Sequence, residues 1–422
     1  MMKWEAKLQK WLMDHILMLA YVAILLIGLF IRFTYFPFLS EDLKQYNVPW
    51  LNLMRESGIA GVFQDRVFFN YSPLHLYLWT LVAKCTGSMD ALAVLKAVGL
   101  VFDGLLCFAC WHTVCMLVGN DGNGTRKLIA FALLWLHPIL VWNNAAWGQT
   151  DVIYGLFAVS SLLLLMRNRP VWAILCYAVA FALKMQALFL FPLFLFVYFC
   201  NEKKFSFLWF LALPAVLISS GIPLVLVDQS PLYGITNYMG QIDTYSYMTY
   251  NYPNLFAIVG DIHANSQMVV GMHSRFGMVL CLVVLGCMLV FCVRKRAVMD
   301  PRRILQLAVW SIWCCVFLLP RMHERYGFVG EMLLACWVLV SGRKRDILCL
   351  LLNALAILSA YASYLYLAEF FSLTIGGLMN FAALGIFTWS MLRDLNTNSL
   401  TVDETFTLTC EGDGAIHQGG KS

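Results

Sequence analysis

Six short stretches carry polar groups that the rest of this apolar chain does not. They are "SED" at 40–42, "NYSPLHLY" at 70–77, "WGQTD" at 147–151, "LKMQ" at 183–186, "NYPNLF" at 251–256 and "RMHERYGF" at 321–328. Their residue types suit three tasks. Glu41 and Asp42 are carboxylates able to take a proton from a hydroxyl nucleophile. Lys184, Arg321, His323 and Arg325 are groups that bind a phosphate in the ground state and as it leaves. Trp147 and Tyr326 offer rings for the CH face of a sugar. Gln149, Asp151, Gln186, Asn251 and Asn254 offer hydrogen bonds to sugar hydroxyls or to the surrounding backbone. A sugar joined to a phosphate that is anchored in a membrane meets all three tasks.

Each stretch also has a plainer reading. Trp and Tyr at helix ends form interfacial belts, and Lys184 could reach the headgroups along its aliphatic stem. Asp103 falls inside an apolar run, where an acid is expensive; pairing with Lys96 on the same helix, or a role in helix packing, would account for it. "HERYG" lacks the second His of a zinc-protease motif, and "AIHQGGKS" closes the chain with no helix to cradle a phosphate. There is no D-x-D for a metal-held nucleotide-sugar, no G-x-S-x-G and no Cys/His metal spacing. A metal-free site is expected, with a divalent metal left open. The cysteines read as free thiols packed as small hydrophobes.

The elements that must position these groups are membrane helices. The chain has 422 residues, 61% hydrophobic and only 13% charged, and a mean hydropathy of +0.73. Apolar runs long enough to cross a bilayer recur from end to end, and helices satisfy their own backbone in lipid. The expected fold is an all-α polytopic bundle of about twelve spans. They lie near 15–36, 94–118, 127–146, 150–166, 171–187, 187–200, 205–226, 273–293, 304–320, 326–342, 346–366 and 374–392. The N-terminus reads as a retained first helix because its apolar run is too long for a signal peptide.

Short basic loops ("TRK" 125–127, "RNR" 167–169, "EKK" 202–204, "VRKRAVMDPRR" 293–303, "GRKR" 342–345) alternate with longer aromatic ones. The positive-inside rule makes the basic loops and both termini cytoplasmic. The net charge of +5 suits those loops and implies no nucleic acid. This holds if the fourteen-residue apolar segment 72–85 lies on or dips into the outer face. A first outer loop then spans about 37–93 and a second about 227–272, within a membrane unit of 1–392. The polar tail 393–422 is expected to be disordered. All six polar stretches fall on one face.

With that placement, the chain resembles the GT-C class of polytopic glycosyltransferases that use polyprenyl-phosphate sugars, near the bacterial (PIG-V-like) relatives of the GPI mannosyltransferases. The resemblance rests on Asp42 in the first outer loop, "YSPLHLY", "WGQTD", "LKMQALFLFP", "NYPNLF" and "RMHERY", in that order. Ser72 stands where the family often has Pro, and nothing past Tyr326 matches a motif, so the later helices read as scaffold. The resemblance implies an inverting transfer of a sugar, mannose by analogy. Asp42 would be the base, with Glu41 as alternative, and Lys184, Arg321, His323 and Arg325 would hold the lipid phosphate. The partners implied are a polyprenyl-phosphate sugar, a glycan, glycolipid or protein acceptor, and the lipid bilayer of a bacterial plasma membrane or the endoplasmic reticulum. A transporter or flippase is the competing class, with Asp103 as its main support. A glycan polymerase or ligase using a lipid diphosphate is a third reading.

Overall fold

The computed structural model describes residues 3–64, 69, 71–119, 124–200, 205–244, 247–259 and 267–397. The "EKK" loop, the Asn70 of an Asn-Tyr-Ser glycosylation triplet, and the tail from 398 onward lie outside the described residues.

The chain is an all-α polytopic bundle. Amphipathic α1 (Lys3–Asp14) leads into the first apolar span, α2 (Ile16–Thr34). Helices α3 (Val48–Gln64) and α4 (Pro73–Thr86) pack on each other. There follow α5 (Ala91–Val118), α6 (Gly124–Trp135), the short α7 (Pro138–Leu140), α8 (Asp151–Met166), α9 (Pro170–Leu183), α10 (Phe191–Cys200) and α11 (Ala212–Gly221). Next come α12 (Tyr233–Thr244), α13 (Leu255–Val259), α14 (Gln267–Arg294), α15 (Pro301–Leu318), α16 (Phe328–Ser341), α17 (Lys344–Tyr366) and α18 (Leu373–Thr397). Among the described residues, eight helices are long and apolar enough to cross a membrane, and four shorter apolar ones accompany them. The segment after Ser72 is the fourteen-residue α4, started by Pro73 at a position whose N–H needs no partner. The last helix runs on to Thr397, past Arg393, because "MLRDLN" continues its helical register.

Non-α backbone interrupts several of these helices, and three such stretches lie beside the polar residues singled out above, while 3-10 turns at Phe207–Leu211 and Ile222–Val227 flank α11. Wide π turns cover Leu43–Asn47 and Val141–Ala146, and a 3-10 turn covers Met185–Leu190. In the second π turn, the Trp147 N–H donates to Trp142 O at 2.9 Å, an i−5 bond. Lys96 Nζ donates to the freed carbonyls of Ala145 and Ala146, the latter at 2.9 Å.

This overturns the Lys96–Asp103 pairing. Seven residues along a helix is a rise of about 10.5 Å, too far for an ion pair. Asp103 instead meets Arg32 Nε of α2 at 2.6 Å. Arg32 also donates to Gly28 O and Trp135 O and lies over the Trp135 ring. Both side chains are buried, and breaking such a pair costs about 3–5 kcal/mol. A second lock joins Arg343 to Asp346 and Asp394, each at 2.8 Å, with Gln306 donating to Asp394. Asp346 and Tyr364 are eighteen residues apart on α17, about 27 Å. The Arg343 lock and the site around Tyr364 therefore occupy opposite ends of the bundle.

Candidate active site

Helix α2 ends at Thr34, and the chain turns at Ser40 to enter the first π turn. Ser40 Oγ donates to Trp147 O at 2.6 Å and accepts the Leu43 N–H at 3.3 Å. Asn47 donates to Gly148 O at 3.3 Å. These bonds fasten the Asp42 segment to "WGQTD". Gly148 has φ +78°, and a Cβ there would lie 2.6 Å from Leu43. Both the left-handed backbone and the close approach require glycine.

Asp42 collects three donors at this joint. Its Oδ2 accepts from Trp147 Nε1 at 2.9 Å and from Gln149 Nε2, and its Oδ1 accepts from the Tyr364 hydroxyl at 2.6 Å. Trp147 is fully buried, stacked on Tyr364 with centroids 4.3 Å apart and edge-on to Tyr361. A carboxylate has about four lone-pair sites, so one stays open.

Asp151 opens α8 and is 1% exposed. Its Oδ1 pairs with Lys184 Nζ, and its Oδ2 accepts from Asn143 Nδ2 at 3.1 Å. Asn143 also donates to the Tyr361 hydroxyl at 3.2 Å. Lys184 does not reach for headgroups. It is 8% exposed, in extended backbone just before the 3-10 turn that holds Gln186. Arg325 bridges the two acids, with Nη1 4.0 Å from Asp42 Oδ2 and Nε 3.9 Å from Asp151 Oδ2.

The loop carrying Arg325 is held by a two-residue parallel ladder, β1 (Thr249–Tyr250) against β2 (Met322–His323). Arg321 has φ +63°, and its N–H donates to Met248 O at 2.8 Å. His323 stacks on Tyr250 at 4.6 Å and lies 5.0 Å from Tyr326. Burial, with Arg325 and Lys184 nearby, pushes the His323 imidazole well below its usual range. It can serve an anion as a neutral N–H donor, not as a further positive charge.

Glu324 is also buried, which pushes its carboxyl from the usual 4.5 up to about 7, while Arg325 pulls it down more weakly. The folded chain therefore binds the extra proton between about pH 4.5 and 7. Stability from this group falls as pH rises through that window and levels off above it. In Glu324→Gln the melting temperature should lose that component of its decline between pH 5 and 8, leaving the variant the more stable at pH 8.

The sequence candidates thus divide. Asp42, Trp147, Gln149, Asp151, Lys184 and Arg325 form one cluster, with His323 and Tyr326 beside it. Glu41 faces out, accepting from Gln45 at 3.0 Å and lying 3.7 Å from Lys44. Asn254 serves the backbone, accepting from the Phe256 and Ala257 N–H groups and donating to Leu319 O. Asn251, at φ +61°, bridges to His323. Sequence reasoning missed Tyr364, Tyr361 and Asn143. The i, i+3 tyrosines near the end of α17 were the available signal.

The model of glycosyltransferase family 87 matches residues 69–321. The chain belongs to glycosyltransferase family 87. As a family 87 protein it is a membrane glycosyltransferase, working on a glycosyl donor and an acceptor at the bilayer. No curated protein matches the chain. The matched range holds Trp147, Gln149, Asp151 and Lys184, whereas Asp42, Arg325 and Tyr364 lie outside it and come to the cluster through the fold. For a glycosyltransferase the arrangement offers a carboxylate with an open lone pair beside a planar guanidinium, with a buried ammonium one acid further on.

Proposed function

We propose that this family 87 protein moves a sugar, mannose by analogy with the GPI mannosyltransferase relatives, from a polyprenyl-phosphate donor to an acceptor hydroxyl. The acceptor is a glycan, glycolipid or protein on the outer face of a bacterial plasma membrane, and both termini are cytoplasmic. The observation that carries the reading is Arg325, 4.0 Å from Asp42 and 3.9 Å from Asp151. It sets a phosphate-binding fork directly beside a candidate base.

The acceptor oxygen attacks the anomeric carbon in a single displacement, and its proton passes to the open lone pair of Asp42. The bond from that carbon to the phosphate oxygen breaks, and its electron pair leaves with the polyprenyl phosphate. Configuration inverts, since no covalent sugar–protein intermediate forms. Arg325 and Lys184 bind the phosphate, which is already anionic and needs a cation more than an acid. His323 adds a neutral donor, and Arg321 flanks the same loop. Trp147, Gln149 and Tyr364 fix the base, while Asp151 and Asn143 orient Lys184 and Arg325. Tyr326 and Gln186 shape the sugar's surroundings. Asp103 lends no support to a transporter, because Arg32 accounts for it.

The test uses the full-length protein in nanodiscs with farnesyl phosphate mannose as donor and n-octyl mannoside as acceptor. Saturable binding and consumption of this donor, with release of farnesyl phosphate, are expected. Use of a polyprenyl diphosphate sugar alone, with no response to any polyprenyl monophosphate sugar, would refute the reading.

A further inference from the structure

Helix α1 carries an apolar face that the rest of the bundle leaves uncovered. None of its residues is buried, and Trp4, Leu8, Trp11 and Leu12 are all exposed. They fall at i, i+4, i+7 and i+8, one stripe about 100° wide at the helical period. Lys3, Lys7 and Lys10 each precede a member of the stripe, so they run along one edge of it, with Asp14 in the same row. Glu5 and Gln9 border the other edge, and Ala6 lies opposite.

Length places this helix at a membrane edge. The nineteen residues of α2 rise about 28 Å, close to the thickness of a bilayer's hydrocarbon core. Its Thr34 end leads to Ser40 and Asp42 of the candidate site, so its Ile16 end meets the opposite headgroup layer. The helical backbone lapses there at His15, with φ −115° and ψ 11°, which makes α1 a separate helix. His15 stacks on Trp11 with centroids 4.8 Å apart, and its Nδ1 donates to Trp11 O at 2.8 Å. The joint is thus pinned just outside the span. Within α2 the buried residues are Gly28 and Arg32, both toward the Asp42 end. The Arg32–Asp103 pair holds that end, and burial does not hold the other.

Water, a second copy of the chain and lipid could each meet the stripe, and magnitudes separate them. An isolated helix shorter than about 12–15 residues is marginal in water, and α1 has twelve. A stable protein interface takes about 20–30 residues a side, more than α1 holds. A phospholipid leaflet suits every residue type on the helix. Trp rings settle at headgroup level, and Lys stems lie along apolar surface with the ammonium in the polar layer. A helix with one apolar face then rests in the plane of the interface. We propose that α1 is an interfacial anchor, lying on the phospholipid leaflet that α2 enters. Trp4, Leu8, Trp11 and Leu12 dip among the upper acyl carbons, and Lys3, Lys7 and Lys10 meet headgroup phosphates. In the orientation proposed above this is the cytoplasmic leaflet. The anchor sets the depth of α2 from one end while Arg32 and Asp103 fix the other, and this role is independent of the sugar donor.

Photocrosslinking of the full-length protein in phosphatidylcholine–phosphatidylglycerol nanodiscs tests this. p-Benzoylphenylalanine is introduced in place of Leu8 in one protein and of Ala6, on the opposite face, in another. Both positions are exposed, so both proteins should melt near wild type. After irradiation, mass spectrometry should find phospholipid adducts on α1 several-fold more often with the probe at Leu8 than at Ala6. Replacing Trp4 and Trp11 together by Gln should lower the Leu8 adduct several-fold. Equal lipid labelling from the two positions, or none from Leu8, overturns the anchor. A Leu8 probe that joins two copies of the chain instead of lipid overturns it in favour of a protein contact.

Discussion

Asp42→Asn should lower turnover by about two to four orders of magnitude, the usual contribution of a positioned general base. Binding of farnesyl phosphate mannose should change little. The variant keeps the size of the side chain, and its carbonyl oxygen can still accept from part of the set formed by Trp147, Gln149 and Tyr364. What it loses is the lone pair able to take a proton from the acceptor. Loss in kcat with an unchanged donor Kd separates removal of a base from removal of a binding contact. Glu41→Gln is the control. Glu41 is exposed and engaged with Gln45 and Lys44, so its loss should leave turnover near wild type. Turnover of Asp42→Asn within a few-fold of wild type, in a protein that melts normally, would remove Asp42 as the base.

The bundle was legible because its evidence is one-dimensional. Apolar runs need no partner to be recognised, and they mark helices long enough to cross a bilayer wherever they occur. The polar stretches around Trp147, Lys184 and Arg325 were legible for a related reason: polar groups in an apolar chain stand out. Three-dimensional pairings were not. Lys96 lay near Asp103 in sequence, yet Arg32 on another helix holds Asp103, and Lys96 holds the carbonyls at the end of a π turn. Tyr364 lies on a helix that read as scaffold, and only packing brings its hydroxyl to Asp42 across 322 residues of chain. Glu41 and Asp42 are neighbours in sequence, but the π turn after them turns one into solvent and the other inward. Backbone that departs from the α-helix does the positioning here, and residue types alone do not announce it.

Arg325→Met should weaken donor binding by about 2–5 kcal/mol, the range for losing one partner of a buried charge contact. That is roughly 30-fold to several thousand-fold in Kd. Among the described residues, Arg325 is the cation paired with both Asp42 and Asp151. Removing it takes away the phosphate fork and also leaves two acids facing each other without the cation between them. The variant should therefore melt lower as well, and the lost stability alone could obscure the binding result. Arg325→Lys resolves this. It keeps the charge between the acids and so most of the stability, but an ammonium cannot make two parallel bonds to a phosphate. A lysine variant that melts near wild type yet binds farnesyl phosphate mannose about ten-fold or more weakly, the scale of one bond to a charged group, would locate the defect in phosphate recognition. A lysine variant with wild-type donor affinity would show that Arg325 serves only to offset the charges of Asp42 and Asp151, and would leave Lys184 to bind the phosphate.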